Sequence, residues 1–176
     1  MPFSIILGDI TQSHVDAIVN AADPTLLGGS GVDGAIHRAA GPELLAECRT
    51  LGGCAPGDAK ITRAYRLPCR YVIHTPGPIW QGGGQNESEI LRRCYHSALR
   101  LAVEYECKTV DFPSIATGVY HFPLPRAAHI ALLAIMDFLC NHPALDVRMV
   151  CHTEETLRAY KTDWNMFYQE TKPEND

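Results

Sequence analysis

Residues 17–41 read AIVNAADPTLLGGSGVDGAIHRAAG: a short apolar run, a polar loop, glycines at 28, 29, 31 and 34, and then a segment with helical spacing. Glycines let backbone N–H groups approach a ligand closely, and a helix start adds oriented donors with a partial positive charge. The run therefore predicts a cradle for a phosphate-bearing ligand. Asp33 does not fit simple anion binding. A carboxylate at the mouth of such a cradle repels phosphate unless a task of its own, such as holding a water or a ribose hydroxyl, outweighs the repulsion.

Working outward, apolar period and turn punctuation predict strands over 3–7, 16–20, 59–65, 70–74, 109–113 and 147–151. Helices are predicted over 33–40, 42–51, 87–105, 125–141 and 154–168, with Pro42 and Pro125 suited to first-turn positions and Glu87 to a helix start. The alternation implies an α/β domain with helices on both faces of a sheet. Only Arg66–Cys69 separates the strands at 59–65 and 70–74, too few residues for a crossover helix, so that pair is expected to be antiparallel and the sheet mixed. The loop at 76–84, PGPIWQGGG, is too rich in Gly and Pro for regular structure. One domain over 1–170 is expected, followed by a polar tail at 171–176 that frays.

The bulk properties narrow the function classes. A chain of 176 residues, 46% hydrophobic and 20% charged, is an ordinary globular domain with a sizeable core. Its net charge of −5 gives no general attraction to nucleic acid or anionic membrane, so a phosphate site has to be local and built from backbone donors. Seven scattered cysteines, odd in number and without a CxxC pair, argue against a disulfide framework and a zinc ribbon and predict reduced thiols in a cytoplasmic protein. No basic n-region precedes Phe3–Leu7, and no apolar run approaches the ~20 residues that span a bilayer, so neither export nor membrane insertion is signalled. The eight histidines show no HxxxH or HxH spacing, and nothing calls for a metal or an organic cofactor.

The order Asn20-Ala-Ala-Asp23, Leu27-Gly-Gly-Ser-Gly-Val-Asp33-Gly and Ile36-His-Arg-Ala-Ala-Gly41 resembles the signature of macrodomains, specifically the MacroD-type hydrolase branch. Gly8-Asp9-Ile10-Thr11 upstream and Phe112-Pro-Ser-Ile-Ala-Thr-Gly-Val-Tyr120 downstream extend the match over almost the whole chain. The resemblance implies a three-layer α/β/α sandwich with a mixed central sheet. It also implies a protein that binds ADP-ribose and hydrolyses its esters, either O-acetyl-ADP-ribose or ADP-ribose on Asp and Glu side chains of mono-ADP-ribosylated proteins.

The resemblance also assigns roles. Asp9, in the Gly-Asp-Ile run with Ile10, would receive the adenine amino group; read by itself, Asp9 is an Asp capping a short turn. Asn20, Gly31 and Val32 belong to the first loop system, and Asp33 would orient water against the distal ribose ester, although by residue type alone it is a first-turn helix acid. Asp23 stands where relatives usually have an Asn that contacts the distal ribose, and with Pro24 it also reads as an Asp-Pro turn. Two nearby carboxylates raise one pKa, which makes either a stronger base or a weaker anion site. In the second loop, Ser114 and Thr117 offer hydroxyls, while Gly118, Val119 and Tyr120 would cover the diphosphate and distal ribose. His121 replaces a Gly common in relatives. Phe122 is open to two roles, packing on the ribose or in the core, and His152 to two others, stacking on adenine or lying on the surface. His37 and Arg38 read as structural.

Three other readings fit parts of the sequence. Gly29–Gly34 satisfies GxGxxG, but eight residues, Ala21–Gly28, separate it from the strand where a Rossmann turn is tight, and no acidic strand end follows ~20 positions on. A non-catalytic ADP-ribose reader would share Asp9 and both loops without depending on Asp33. A Ser114 esterase would need His121 as its base. No GxxxxGK[ST] or GxSxG occurs.

Overall fold

A computed structural model describes residues 3–168; the polar tail at 171–176 lies outside the described residues. The strands are β1 (Phe3–Leu7), β2 (Ala17–Ala21), β3 (Lys60–Arg63), β4 (Tyr71–Thr75), β5 (Thr109–Phe112) and β6 (Asp146–Cys151). The helices are α1 (Gly31–Ala40), α2 (Pro42–Arg49), α3 (Glu87–Glu104), α4 (Leu124–Asn141) and α5 (Glu154–Tyr168), with a 3-10 turn at Ile10–Gln12. Every predicted strand and helix is present. The helix predicted from 33 begins at Gly31, which brings Asp33 into its first turn. The helix predicted to 51 stops at Arg49, where the Thr50 hydroxyl bonds back to Glu47 O at 2.7 Å and the chain turns into Gly52 and Gly53 at positive φ.

The sheet order is β1-β6-β5-β2-β4-β3. All neighbours are parallel except β3 and β4, which pair antiparallel as expected. This order is not that of a dinucleotide-binding Rossmann sheet, which removes that reading. Period-two alternation sorts the strand residues between two cores. Ala17, Val19, Ile73, Val110, Phe112, Val147 and Met149 face one core with buried residues of α3, α4 and α5, while Ile18, Val72 and Val150 face the other with Ile36, Leu44 and Cys48 of α1 and α2. Helices therefore cover both faces, as an α/β/α sandwich requires. By length and composition α4 is apolar enough to cross a bilayer, but its apolar face, including Ala128, Ala131, Leu132 and Ile135, is buried in the first core.

Two consequences locate a site. The parallel strands all end at one edge of the sheet, so the loops after β1, β2, β4, β5 and β6 gather there. Moreover, β2 feeds α1 on one face while its neighbour β5 feeds α4 on the other, and such a switch point opens a crevice at the strand ends.

The face under α1 and α2 also carries buried polar residues. Asp111 of β5, fully buried, meets Arg148 directly opposite on β6 in a two-pronged pair, Nε to Oδ1 at 2.8 Å and Nη2 to Oδ2 at 2.6 Å. Removing one partner of such a pair leaves an uncompensated buried charge. Arg148→Met is expected to lower the unfolding free energy by about 3 kcal/mol in urea titration. Adding Asp111→Leu should recover most of that loss, since the stranded carboxylate is then gone.

Candidate functional site

Asp33 is the centre of the strand-end crevice. It is only 3% exposed and turns inward rather than standing at the mouth of the glycine cradle. Its Oδ1 accepts from Asn20 Nδ2 at 2.9 Å and its Oδ2 from the Asp23 N–H at 3.1 Å. The charge is taken up by two donors from the β2 end, while the opening turn of α1, Gly31 and Val32, has no side-chain cap on its N–H groups. Two glycines make this approach possible. Gly31 takes φ +60° at the helix entry, and a Cβ on Gly34 would fall 2.5 Å from Gly29 O, so the loop lies directly against the helix.

Asp23 forms the turn expected of an Asp-Pro pair. Its Oδ1 accepts from Thr25 N at 2.9 Å and Thr25 Oγ1 at 2.7 Å, and Leu26 N donates to Asp23 O at 2.9 Å. It therefore joins the site through its main-chain N–H to Asp33, with Oδ1 of its carboxylate engaged in the turn.

The second loop leans on the first core. Ser114 Oγ lies 2.9 Å from Tyr160 OH and accepts from Thr117 Oγ1 at 2.8 Å, so both hydroxyls are held within the fold. Among the described residues no histidine bonds Ser114, which leaves the esterase reading without a base. Gly118 and Val119 are exposed at the tip, and the missing Cβ of Gly118 faces open space. Tyr120 O accepts from Trp80 N at 2.8 Å, tying this loop to the one after β4. Burial, and then the charges of Asp23 and Asp33, push the Tyr120 phenol above its ordinary range, so it remains a neutral donor facing both acids. His121 adopts φ +58°, a left-handed conformation natural to glycine, and closes the turn through its N–H to Gly118 O at 3.0 Å. Phe122 is 2% exposed and packs on Trp80 with ring centroids 4.8 Å apart, so of its two readings the core one is realised.

At the far end of the crevice, Asp9 Oδ1 caps the Ile10–Gln12 turn, accepting from Thr11 N at 2.9 Å and Thr11 Oγ1 at 2.7 Å. The Ile10 side chain is buried in the second core, so only its main chain is open to the site. His152 is exposed after β6, next to β1 in the sheet and thus near Asp9.

A Macro domain model matches residues 19–131. This chain belongs to the macrodomain family. It is 51% identical to an O-acetyl-ADP-ribose deacetylase of Citrobacter rodentium over 162 residues, covering 89% of this chain and 92% of that one. It is also 51% identical to ADP-ribose glycohydrolase MACROD2 of Xenopus laevis over 168 residues, 94% of this chain but 40% of that longer protein. Among solved structures, an Oceanobacillus iheyensis macrodomain mutant with ADPR superposes with a TM-score of 0.89 at 41% identity, over 92% of this chain and 91% of that one.

Three groups of this macrodomain lie beyond what residue order points to. His37, one turn after Asp33, has Nε2 3.4 Å from Asp33 Oδ1, yet that nitrogen makes no hydrogen bond; the i, i+4 spacing was the available signal. Glu87, 1% exposed, turns back to accept the N–H groups of Gln81 at 3.0 Å, Gly83 at 2.8 Å and Gln85, so one carboxylate shapes the Gly-rich loop that carries Trp80. His74 lies fully buried behind Asn20, and burial, with a smaller push from His37, takes its pKa from 6.5 down to about 3.

That depression makes stability depend on pH. Between about pH 6.5 and about 3 the unfolded chain binds a proton at His74 and the folded chain does not, so the folded state loses stability as pH falls through that window. Urea titrations of wild type and His74→Asn should diverge by about 1.4 kcal/mol per pH unit there, with wild type the steeper.

Proposed function

We propose that this macrodomain binds ADP-ribose and hydrolyses an ester at its distal ribose, in O-acetyl-ADP-ribose or in ADP-ribose carried on Asp and Glu side chains of modified proteins. The observation that carries the reading is the Asp33 carboxylate, buried, held by Asn20 and the Asp23 N–H, and set against the first turn of α1. A relative at about half identity over most of the chain, named an O-acetyl-ADP-ribose deacetylase, supports ester cleavage, and one named an ADP-ribose glycohydrolase supports hydrolysis of ADP-ribose derivatives.

In this reading the diphosphate lies between the start of α1 at Gly31 and Val32 and the loop tip at Gly118–Tyr120, where backbone donors replace a basic surface. The adenine amino group reaches Asp9 at the β1 end. The distal ribose then falls beside Asn20, Asp33 and Tyr120. Asp33 accepts a hydrogen bond from the attacking water and orients it. Water adds to the acyl carbonyl, the ester C–O bond breaks, the ribose oxygen takes up a proton, and the acyl group leaves as a carboxylic acid. An ester is labile enough that a positioned water suffices. His37 Nε2, 3.4 Å from Asp33 Oδ1, sets a second polar group beside the carboxylate. A cytoplasmic setting, suited to seven free thiols, belongs to the same proposal.

The test is release of ADP-ribose from a carrier protein mono-ADP-ribosylated on Glu and Asp, with O-acetyl-ADP-ribose as a parallel substrate. Asp33→Ala should lower kcat by about 100-fold or more while calorimetry still shows ADP-ribose binding. Binding without turnover in wild type on both substrates would make the protein a reader instead.

A further inference from the structure

The Asp33 carboxylate sets a chain of hydrogen-bond directions that runs out of the site and into the sheet. A carboxylate accepts and does not donate, so the Asn20 atom 2.9 Å from Asp33 Oδ1 has to be the amide nitrogen. The same nitrogen stands 3.1 Å from His74 Nδ1. Its second hydrogen points there, and Nδ1 can accept only if it is bare. A neutral imidazole with a bare Nδ1 carries its proton on Nε2. That nitrogen lies 2.9 Å from Thr62 Oγ1, with Cys48 Sγ a weaker neighbour at 3.8 Å.

The sheet register builds this chain. Asn20 and His74 are paired neighbours on β2 and β4, and Thr62 stands on β3 two residues from Lys60, the register partner of His74. All three are buried, on the face covered by α1 and α2. One buried acceptor is left over. Asn20 Oδ1 has no partner among the described residues, although a buried acceptor normally has one. With the nitrogen held toward Asp33 and His74, a ribose hydroxyl entering beside Asp33 can supply it.

We propose that His74 is a positioning residue: it grips the second hydrogen of the Asn20 amide, keeping the nitrogen on Asp33 and the oxygen turned to the sugar. This rests on the ribose-side reading of Asp33 given above. The task suits histidine, which accepts on one side and donates on the other across a single ring. It also needs the ring neutral, because a proton on Nδ1 would oppose the amide hydrogens. Burial keeps it so, holding the pKa at about 3.

The test has a spectroscopic arm and a kinetic arm. Long-range proton–nitrogen correlation on wild type, with the His74 signals assigned by their loss in His74→Asn, should show the Nε2-protonated tautomer unchanged from pH 6 to 8. A proton on Nδ1 or a cationic ring would overturn the proposal whatever the protein hydrolyses. In the kinetic arm, His74→Phe removes the acceptor at similar shape and should lower kcat on the ester by about 10- to 100-fold. His74→Asn places an oxygen near the former Nδ1 and should recover most of that loss. Equal losses in the two variants at matched melting temperature would contradict it.

If wild type binds ADP-ribose without cleaving any ester, the hydrolase reading fails separately. The kinetic arm then becomes calorimetry, with affinity lost in His74→Phe and kept in His74→Asn. Should His74→Phe not fold, Thr62→Val removes only the Nε2 partner. It should leave the proton on Nε2, since the Asn20 amide still donates to Nδ1, and a shift of the proton to Nδ1 would count against the proposal.

Discussion

The two donors on Asp33 hold the site together. Asn20 comes from β2 and Asp33 from the first turn of α1, and between them runs the loop that would otherwise be free to choose its path. A buried carboxylate without donors is costly, so the fold is driven to bring the β2 end and the α1 start into contact. Charge-assisted hydrogen bonds and the favourable end of the helix dipole reward that contact. Once it forms, the N–H groups of the helix start are left facing the crevice, and a negatively charged side chain coexists with an anion cradle.

The sheet supplies the rest of the geometry. Because β2 and β5 are neighbours whose helices leave on opposite faces, the crevice lies between their two loops. The second loop is braced from below by Ser114 on Tyr160, by Phe122 on Trp80, and by the Trp80 N–H on Tyr120 O. Glu87 braces the Trp80 loop in turn, and three backbone N–H bonds hold its carboxyl below the usual range against the opposing effect of burial. The buried polar groups Asn20, His74, Thr62, Asp33 and Asp111 lie on the face under α1 and α2 and each makes at least one hydrogen bond, with Asn20 Oδ1 left over. The other face, under α3, α4 and α5, is largely apolar.

Local signals made the architecture legible. Pro42 marks a helix start, the four residues Arg66–Cys69 force an antiparallel pair, and the glycines at 28–34 announce the loop beneath α1. Asp33 was legible through those glycines and the family signature. What residue order concealed was pairing over distance. Glu87 reads as a first-turn acid, and nothing nearby tells that it turns back on the preceding loop. His74 looks like one more apolar-strand residue until β2 and β3 are placed on either side of it. Asp23 shows the reverse: it stands where the resemblance places an Asn against the ribose, while its own turn with Pro24 and Thr25 engages one oxygen of its carboxylate.

The central claim is that Asp33 and the Asn20 amide meet the distal ribose. A crystal structure of the wild-type chain with ADP-ribose tests it most directly. The account predicts distal-ribose hydroxyls within hydrogen-bond distance of Asn20 Oδ1 and Asp33, with the diphosphate on the Gly31–Val32 N–H groups. A distal ribose lying away from Asp33, with Asn20 Oδ1 still unpartnered, would contradict it.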